Sequence, residues 1–309
     1  MIRGFTFLFA SREKTRVSFE ETRESLRVMR DGTACDTAVL AFGALQETPQ
    51  SETVDYEGVV PSDDELKRAV ASCREFGLSV IFKPMVNCRN GVWRAHIDFF
   101  DHEAPCEPKW SKWFQSYTDY IVRYAALAEE VKADMLMIGC ELVQSERKSD
   151  YWRALIEKVR AVYGGKITYN TDKYQETAVE WWDAVDYISS SGYYPIDQWD
   201  ENLDRVFTVV QSLQKPFFFA ECGCPSRSGS SFIPNDWTHK GDLNLEEQAM
   251  YYATMFDKAG SRPWVQGFVC WAHLETYARL PIINDDYSVL GKPAGHVVKE
   301  FYSKRRRQG

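Results

Sequence analysis

Short apolar runs alternate with longer amphipathic ones along almost the whole chain. Eight runs rich in Val, Ile, Phe and Met read as strands: 2–10, 36–42, 78–86, 133–139, 166–172, 185–194, 216–221 and 265–273. Near-continuous hydrophobicity of this kind belongs to strands covered on both faces, as in a parallel sheet. Between them lie segments with helical spacing and charged faces, at 18–31, 62–76, 108–131, 146–163, 175–184, 199–213 and 244–260, with a closing one near 294–306. Ser18 with Glu21 and Ser62 with Glu65 have capping-box spacing, in which two side chains satisfy orphan amides of a first helical turn. Gly77 follows the second segment, where a helix C′ residue is expected. Eight strands alternating with eight helices predict one α/β domain over residues 1–309, a single (β/α)8 barrel. The rival, a doubly wound open sheet, calls for a glycine-rich phosphate loop after an early strand, and the sequence has none.

Two apolar strand runs end in a glutamate: ADMLMIGCE closes on Glu141 and PFFFAE on Glu221. A residue closing a barrel strand emerges at the C-terminal rim, where barrel active sites are built. Two such glutamates facing each other across the mouth have the chemistry of glycoside hydrolysis. The plainer alternative is one surface Glu and one salt-bridged Glu.

Aromatic and polar residues at the other strand ends favour a sugar. The connection 87–108 holds Trp93, Arg94 and His96; Tyr193 and Tyr194 follow strand six, Trp237 lies after strand seven, and Trp271 ends strand eight. Aromatic faces stack on the C–H faces of sugar rings while polar groups bind hydroxyls. Trp181 and Trp182 sit on a predicted helix and read as core. Arg94 and Lys83 are candidate cations for keeping a nucleophilic carboxylate charged, although Lys83 would equally serve a structural ion pair. His96 and His273 are hydroxyl-binding candidates or merely solvated rim residues.

Bulk properties narrow the class. A net charge of −8 argues against a nucleic-acid partner, and no apolar stretch reaches the roughly 18 residues of a membrane span. The basic run at 304–307 reads as a solvated terminus. The first strand begins without a signal-peptide pattern, so a cytoplasmic protein is expected; a processed secreted chain would look the same. Eight cysteines (35, 73, 88, 106, 140, 222, 224 and 270) are present. Residues 35, 140, 222 and 270 fall in or at the ends of predicted strands and read as small buried hydrophobes. Cys222 and Cys224 lack the second pair that structural zinc needs, and neither a metal nor a cofactor is expected.

Longer segments carry a resemblance: FKPMV (82–86), GVWRAHI (91–97), IGCEL (138–142), SGYYP (191–195), FFFAECG (217–223) and DDYSVLGKPA (285–294). Together they resemble the glycoside hydrolases of clan A, and within that clan family 113, whose characterised members are β-1,4-mannanases. The resemblance implies a retaining, endo-acting, metal-independent hydrolase of β-1,4-linked mannan or manno-oligosaccharides. It implies Glu141 as acid/base, Glu221 as nucleophile, and Trp271 as the floor beneath the attacked sugar. A strand-six tyrosine would contact the nucleophile; Tyr193 and Tyr194 both qualify, and Tyr194 is favoured. Asn87, Asn170 and Asn284 are sugar-binding candidates by position and resemblance. One departure is Cys140, which stands where most clan members carry an asparagine that contacts the sugar 2-hydroxyl. The alternatives are another clan A activity, such as a β-mannosidase or β-glucanase, and a barrel that binds carbohydrate without cleaving it.

Overall fold

The computed structural model describes residues 1–278 and 283–306. Eight strands pair in parallel and in sequence order to close a barrel: β1 (Ile2–Leu8), β2 (Thr37–Gln46), β3 (Ser79–Cys88), β4 (Met135–Cys140), β5 (Lys166–Thr171), β6 (Tyr187–Gly192), β7 (Phe217–Cys222) and β8 (Val265–Leu274). Seven α-helices are described around it: α1 (Phe19–Thr33), α2 (Asp63–Glu75), α3 (Trp110–Glu130), α4 (Ser149–Arg160), α5 (Trp199–Leu213), α6 (Leu245–Gly260) and α7 (Pro293–Arg306).

Local sequence explains the helix ends. Both capping boxes form, at Ser18–Glu21 and Ser62–Glu65. After α2, Gly77 takes a left-handed φ of 72°. The amides of Gly77 and Leu78 then reach back to the carbonyls of Arg74 and Cys73, the pattern of a Schellman motif. The expected helix over 175–184 does not form; the segment is a series of turns ending in a short 3₁₀ turn, Trp182–Ala184. Tertiary contacts outweigh its helical spacing. Trp181 and Trp182 are core, as expected, and their indole N–H groups donate to the carbonyls of Glu146 and Glu176.

Alternation along the strands divides the apolar residues into two cores. Val39, Ile81, Met135, Met137, Phe218, Ala220 and Val269 fill the barrel's lower interior. Ala41, Met85 and Cys140 lie above them, against Leu8 and Trp271. The outward residues pack beneath the helices, where α3 contributes Trp110, Trp113, Phe114, Tyr117, Tyr120 and Tyr124. All eight cysteines are free, and Cys106 alone is exposed. Cys35 lies just before β2 rather than inside it. No described helix is long and apolar enough to cross a membrane. Lys304 pairs with Glu300 on α7; Arg307, in the basic terminal run, lies outside the described residues.

Candidate active site

Strict alternation would not aim both glutamates into the barrel; irregularities in the sheet do. The β4–β5 register slips between Met137 and Cys140. Gly139 makes this possible, because a Cβ there would lie 2.8 Å from the Tyr169 ring and 3.0 Å from Trp152 and Tyr117. Glu141 then leaves the strand with a left-handed φ of 52°, a conformation a non-glycine residue adopts at a cost. The β6–β7 register slips between Ser190 and Ser191, next to Glu221. A third slip, between β1 and β8, falls beside Trp271. Bulges of this kind re-aim side chains at barrel rims.

Glu221 is 4% exposed and ringed by donors. Lys83, inward on β3 between Ile81 and Met85, pairs with Glu221 Oε1 and donates to Asn170 Oδ1 at 2.9 Å. The Cys140 thiol donates to the same Glu221 oxygen at 3.3 Å, and the Tyr193 hydroxyl donates to Oε2 at 3.0 Å. Burial alone would raise the Glu221 pKa; the charges of Lys83 and Arg94 overcome it and hold the carboxyl below its usual value. Lys83 is likewise opposed by burial, but the charge and hydrogen bond of Glu221 outweigh that and raise its pKa.

Glu141 receives Ser191 Oγ on Oε1 at 2.7 Å. On Oε2 it receives Arg94 Nη1 at 3.0 Å and the Trp93 indole N–H at 3.3 Å. Arg94 is steadied by the Val86 carbonyl and Asn87 Oδ1, both at 3.2 Å. An oxygen of Glu141, an oxygen of Glu221 and Cys140 Sγ all lie within 4.8 Å of one another. Distance alone would suit a shared cation. The charges do not, since Lys83 and Arg94 already meet these carboxylates, and burial and Glu221 push the Cys140 thiol well above its usual pKa.

The pair opens into a cavity of about 590 Å³ lined by Trp93, Arg94, Asp172, Tyr193, Trp237, Trp271 and Tyr287, among others. That volume is within the roughly 300–1,000 Å³ of ordinary ligand clefts. The Lys83 ammonium sits 5.6 Å from the centre of the Trp271 ring.

Several expected site residues are elsewhere. Tyr194, the favoured partner of Glu221, instead donates to Glu176 at 3.0 Å; β6 ends at Gly192, so Tyr193 is the one turned inward. Asn87 and Asn170 support Arg94 and Lys83 rather than line the cavity. His96 packs edge-on against Trp93, with ring centres 6.0 Å apart. His273 is buried against Ser25 at 2.9 Å, and burial drops its pKa to about 3. Asn284 bonds Tyr277 and Asp286 within its own loop. Ser191, Asp172 and Tyr287 were not anticipated, although Ser191 and Tyr287 lie in segments that carry the family resemblance.

A carboxylate pair this close, at the C-terminal mouth of a closed parallel barrel, is the arrangement of a retaining glycoside hydrolase. The chain belongs to glycoside hydrolase family 113, whose profile matches residues 5–292. Among solved structures, a complex of a GH113 β-1,4-mannanase is 50% identical, with a TM-score of 0.93 over 98% of this chain and 99% of that one. The GH113 β-mannanase AaManA from Alicyclobacillus acidocaldarius, in complex with ManMIm, is 38% identical, with a TM-score of 0.91 over 98% and 97% of the two chains. A β-glucuronidase from Ruminococcus gnavus, 13% identical with a TM-score of 0.66 over 97% of this chain and 50% of that one, shares the fold alone. No curated protein matches the chain.

Proposed function

We propose that this protein is a retaining endo-β-1,4-mannanase, with Glu221 as nucleophile and Glu141 as acid/base. The observation that carries this is the carboxylate pair, whose nearest oxygens lie within 4.8 Å. Retaining enzymes hold their carboxyls about 5–5.5 Å apart, whereas inverting ones need roughly 6.5–9.5 Å for an intervening water. A Glu221 oxygen attacks the anomeric carbon, the glycosidic C–O bond breaks, and Glu141 gives its proton to the departing oxygen. Glu141 then takes a proton from water, which attacks the same carbon and releases Glu221 as carboxylate. Lys83 and Tyr193 hold the nucleophile charged and oriented, and Arg94 and Ser191 place Glu141. The mannan assignment is supported by the family and by two β-mannanase structures at 50% and 38% identity. Lining residues flank both glutamates, which suits internal cleavage of a chain.

Mannan, cellulose, xylan and defined manno-oligosaccharides should be compared as substrates, with proton NMR of fresh hydrolysate. Mannan should shorten from within and the new reducing ends should appear as β-anomers. An initial α-anomer would overturn retention, cleavage of cellulose or xylan alone would overturn the substrate, and release of only terminal mannose would overturn endo action.

A further inference from the structure

Asp172 has no part in the steps above, yet it lies in the cleft. It follows the last residue of β5, is 8% exposed, and lines the same cavity as the two glutamates. Its chain neighbour Lys173 sets an ammonium 3.7 Å from it. Glu141 at the end of β4 and Glu176 beyond β5 also act on it, and Asp172 in turn acts on Glu146 in the loop after β4.

The contacts divide the cleft into two sides. Around Glu221 stand Tyr193, Lys83 and, beneath Lys83, the Trp271 ring; Tyr287 packs against Tyr193 with ring centres 6.1 Å apart. Around Glu141 stand Arg94 and Trp93, whose indole N–H meets its Oε2 at 3.3 Å. An acid that protonates a glycosidic oxygen must stand beside the sugar that departs. Glu141's neighbours therefore bound the leaving sugar, and Glu221's bound the attacked one. Trp93 is 41% exposed and its ring is braced by His96, so an aromatic surface is presented on the leaving side.

We infer that Asp172 and Trp93 form the leaving-sugar subsite, Asp172 hydrogen-bonding a hydroxyl of the departing mannosyl unit and Trp93 stacking on its ring. The inference rests on the assignment of Glu141 as the acid. Burial and the field of Glu141 raise the Asp172 pKa to about 7, so near neutral pH this carboxyl can donate to a hydroxyl as well as accept from one.

The test compares mannotetraose, which has a leaving sugar, with dinitrophenyl β-mannobioside, which has none. Asp172→Ala should lower kcat/KM on mannotetraose about 10-fold, the usual worth of one hydrogen bond to substrate. On the aryl substrate it should stay within about 2-fold, and Asp172→Asn, which keeps a hydrogen-bonding group, should recover part of the loss. With mannobiose added as acceptor, Asp172→Ala should also divert less glycosyl-enzyme to transfer relative to hydrolysis. Equal losses on both substrates, or an unchanged transfer ratio, would overturn the inference. A wild-type enzyme that cleaves neither mannoside would remove the functional reading beneath it.

Discussion

Two buried carboxylates near the barrel mouth, Glu221 and Glu146, meet opposite electrostatic fates. Both lie at 5% exposure or less. Glu221 faces Lys83 and Arg94, and its pKa is lowered. Glu146, just beyond β4, takes hydroxyl hydrogen bonds from Tyr169 and Thr171 on Oε1, and its Oε2 has no partner. Burial and the nearby Asp172 and Glu176 push its pKa up to about 8, against what the two hydroxyls supply. Two hydroxyls favour the charged form of Glu146 without offsetting its burial, whereas the cations beside Glu221 do offset it. The cation at Glu221 comes from the inward alternation of β3, and no described strand supplies its equal at Glu146.

The harshest way to probe the comparison is to remove the charged member. Glu221→Ala should lower kcat by at least about 10⁴-fold, as loss of a catalytic nucleophile does elsewhere. Azide should restore turnover and give a glycosyl azide of inverted configuration. Glu141→Ala should lose about 10²–10⁴-fold on natural substrates and much less with a good leaving group, with azide giving the retained product. Reversed stereochemistry in the two azide products would exchange the roles of the two glutamates.

Removing the cation should turn Glu221 into a second Glu146. In Lys83→Met, burial acts on Glu221 with less opposition, and its pKa rises. Glu221 must be ionised to attack, and its lowered pKa lets wild-type kcat/KM persist as pH falls toward that value. The acid limb in Lys83→Met should therefore move upward, read as kcat/KM against pH on an activated aryl mannoside. Stability should fall by about 3–5 kcal/mol, because one partner of a buried pair is left uncompensated. An unmoved acid limb would show that Arg94 alone sets the ionisation of Glu221.

The comparison also marks what a sequence can carry. The strands and both glutamate positions were legible because apolar runs bounded by polar segments follow from burial on two faces of a sheet. Lys83 was legible as one of two candidate cations for the nucleophile, but not separable from a purely structural ion pair, since nothing in FKPMV says which face of β3 looks across to β7. Tyr193 displaced Tyr194 because a register slip and the end of β6 at Gly192 decide which hydroxyl faces inward. Neither has a periodic signature. The segment 175–184 failed as a helix because its ends are claimed from outside: Trp181 donates to the Glu146 carbonyl, and the Glu176 carboxylate accepts from Ser190, Tyr194 and Arg205. Asp172 closed the predicted run 166–172 much as the glutamates closed theirs, but that run is polar over its last residues, and a lone aspartate there has no visible role until the cavity around it is known.

Glu146 gives the smallest effect on catalysis and the cleanest on stability. Its folded pKa of about 8 lies above its ordinary 4.5, so the folded protein binds the extra proton between those values. Its contribution to stability is therefore present below pH about 4.5 and declines as pH rises through about 8. Glu146→Gln keeps an oxygen for Tyr169 and Thr171 but cannot ionise. The variant should lose less stability than wild type between pH about 5 and about 8, a difference on the order of a few kcal/mol. Its kcat/KM should change little, because Glu146 does not line the cleft. Melting temperatures of both proteins across that range provide the measurement. Parallel curves would mean that Glu146 titrates alike in the folded and unfolded states, and that burial without a cation does not by itself separate it from Glu221.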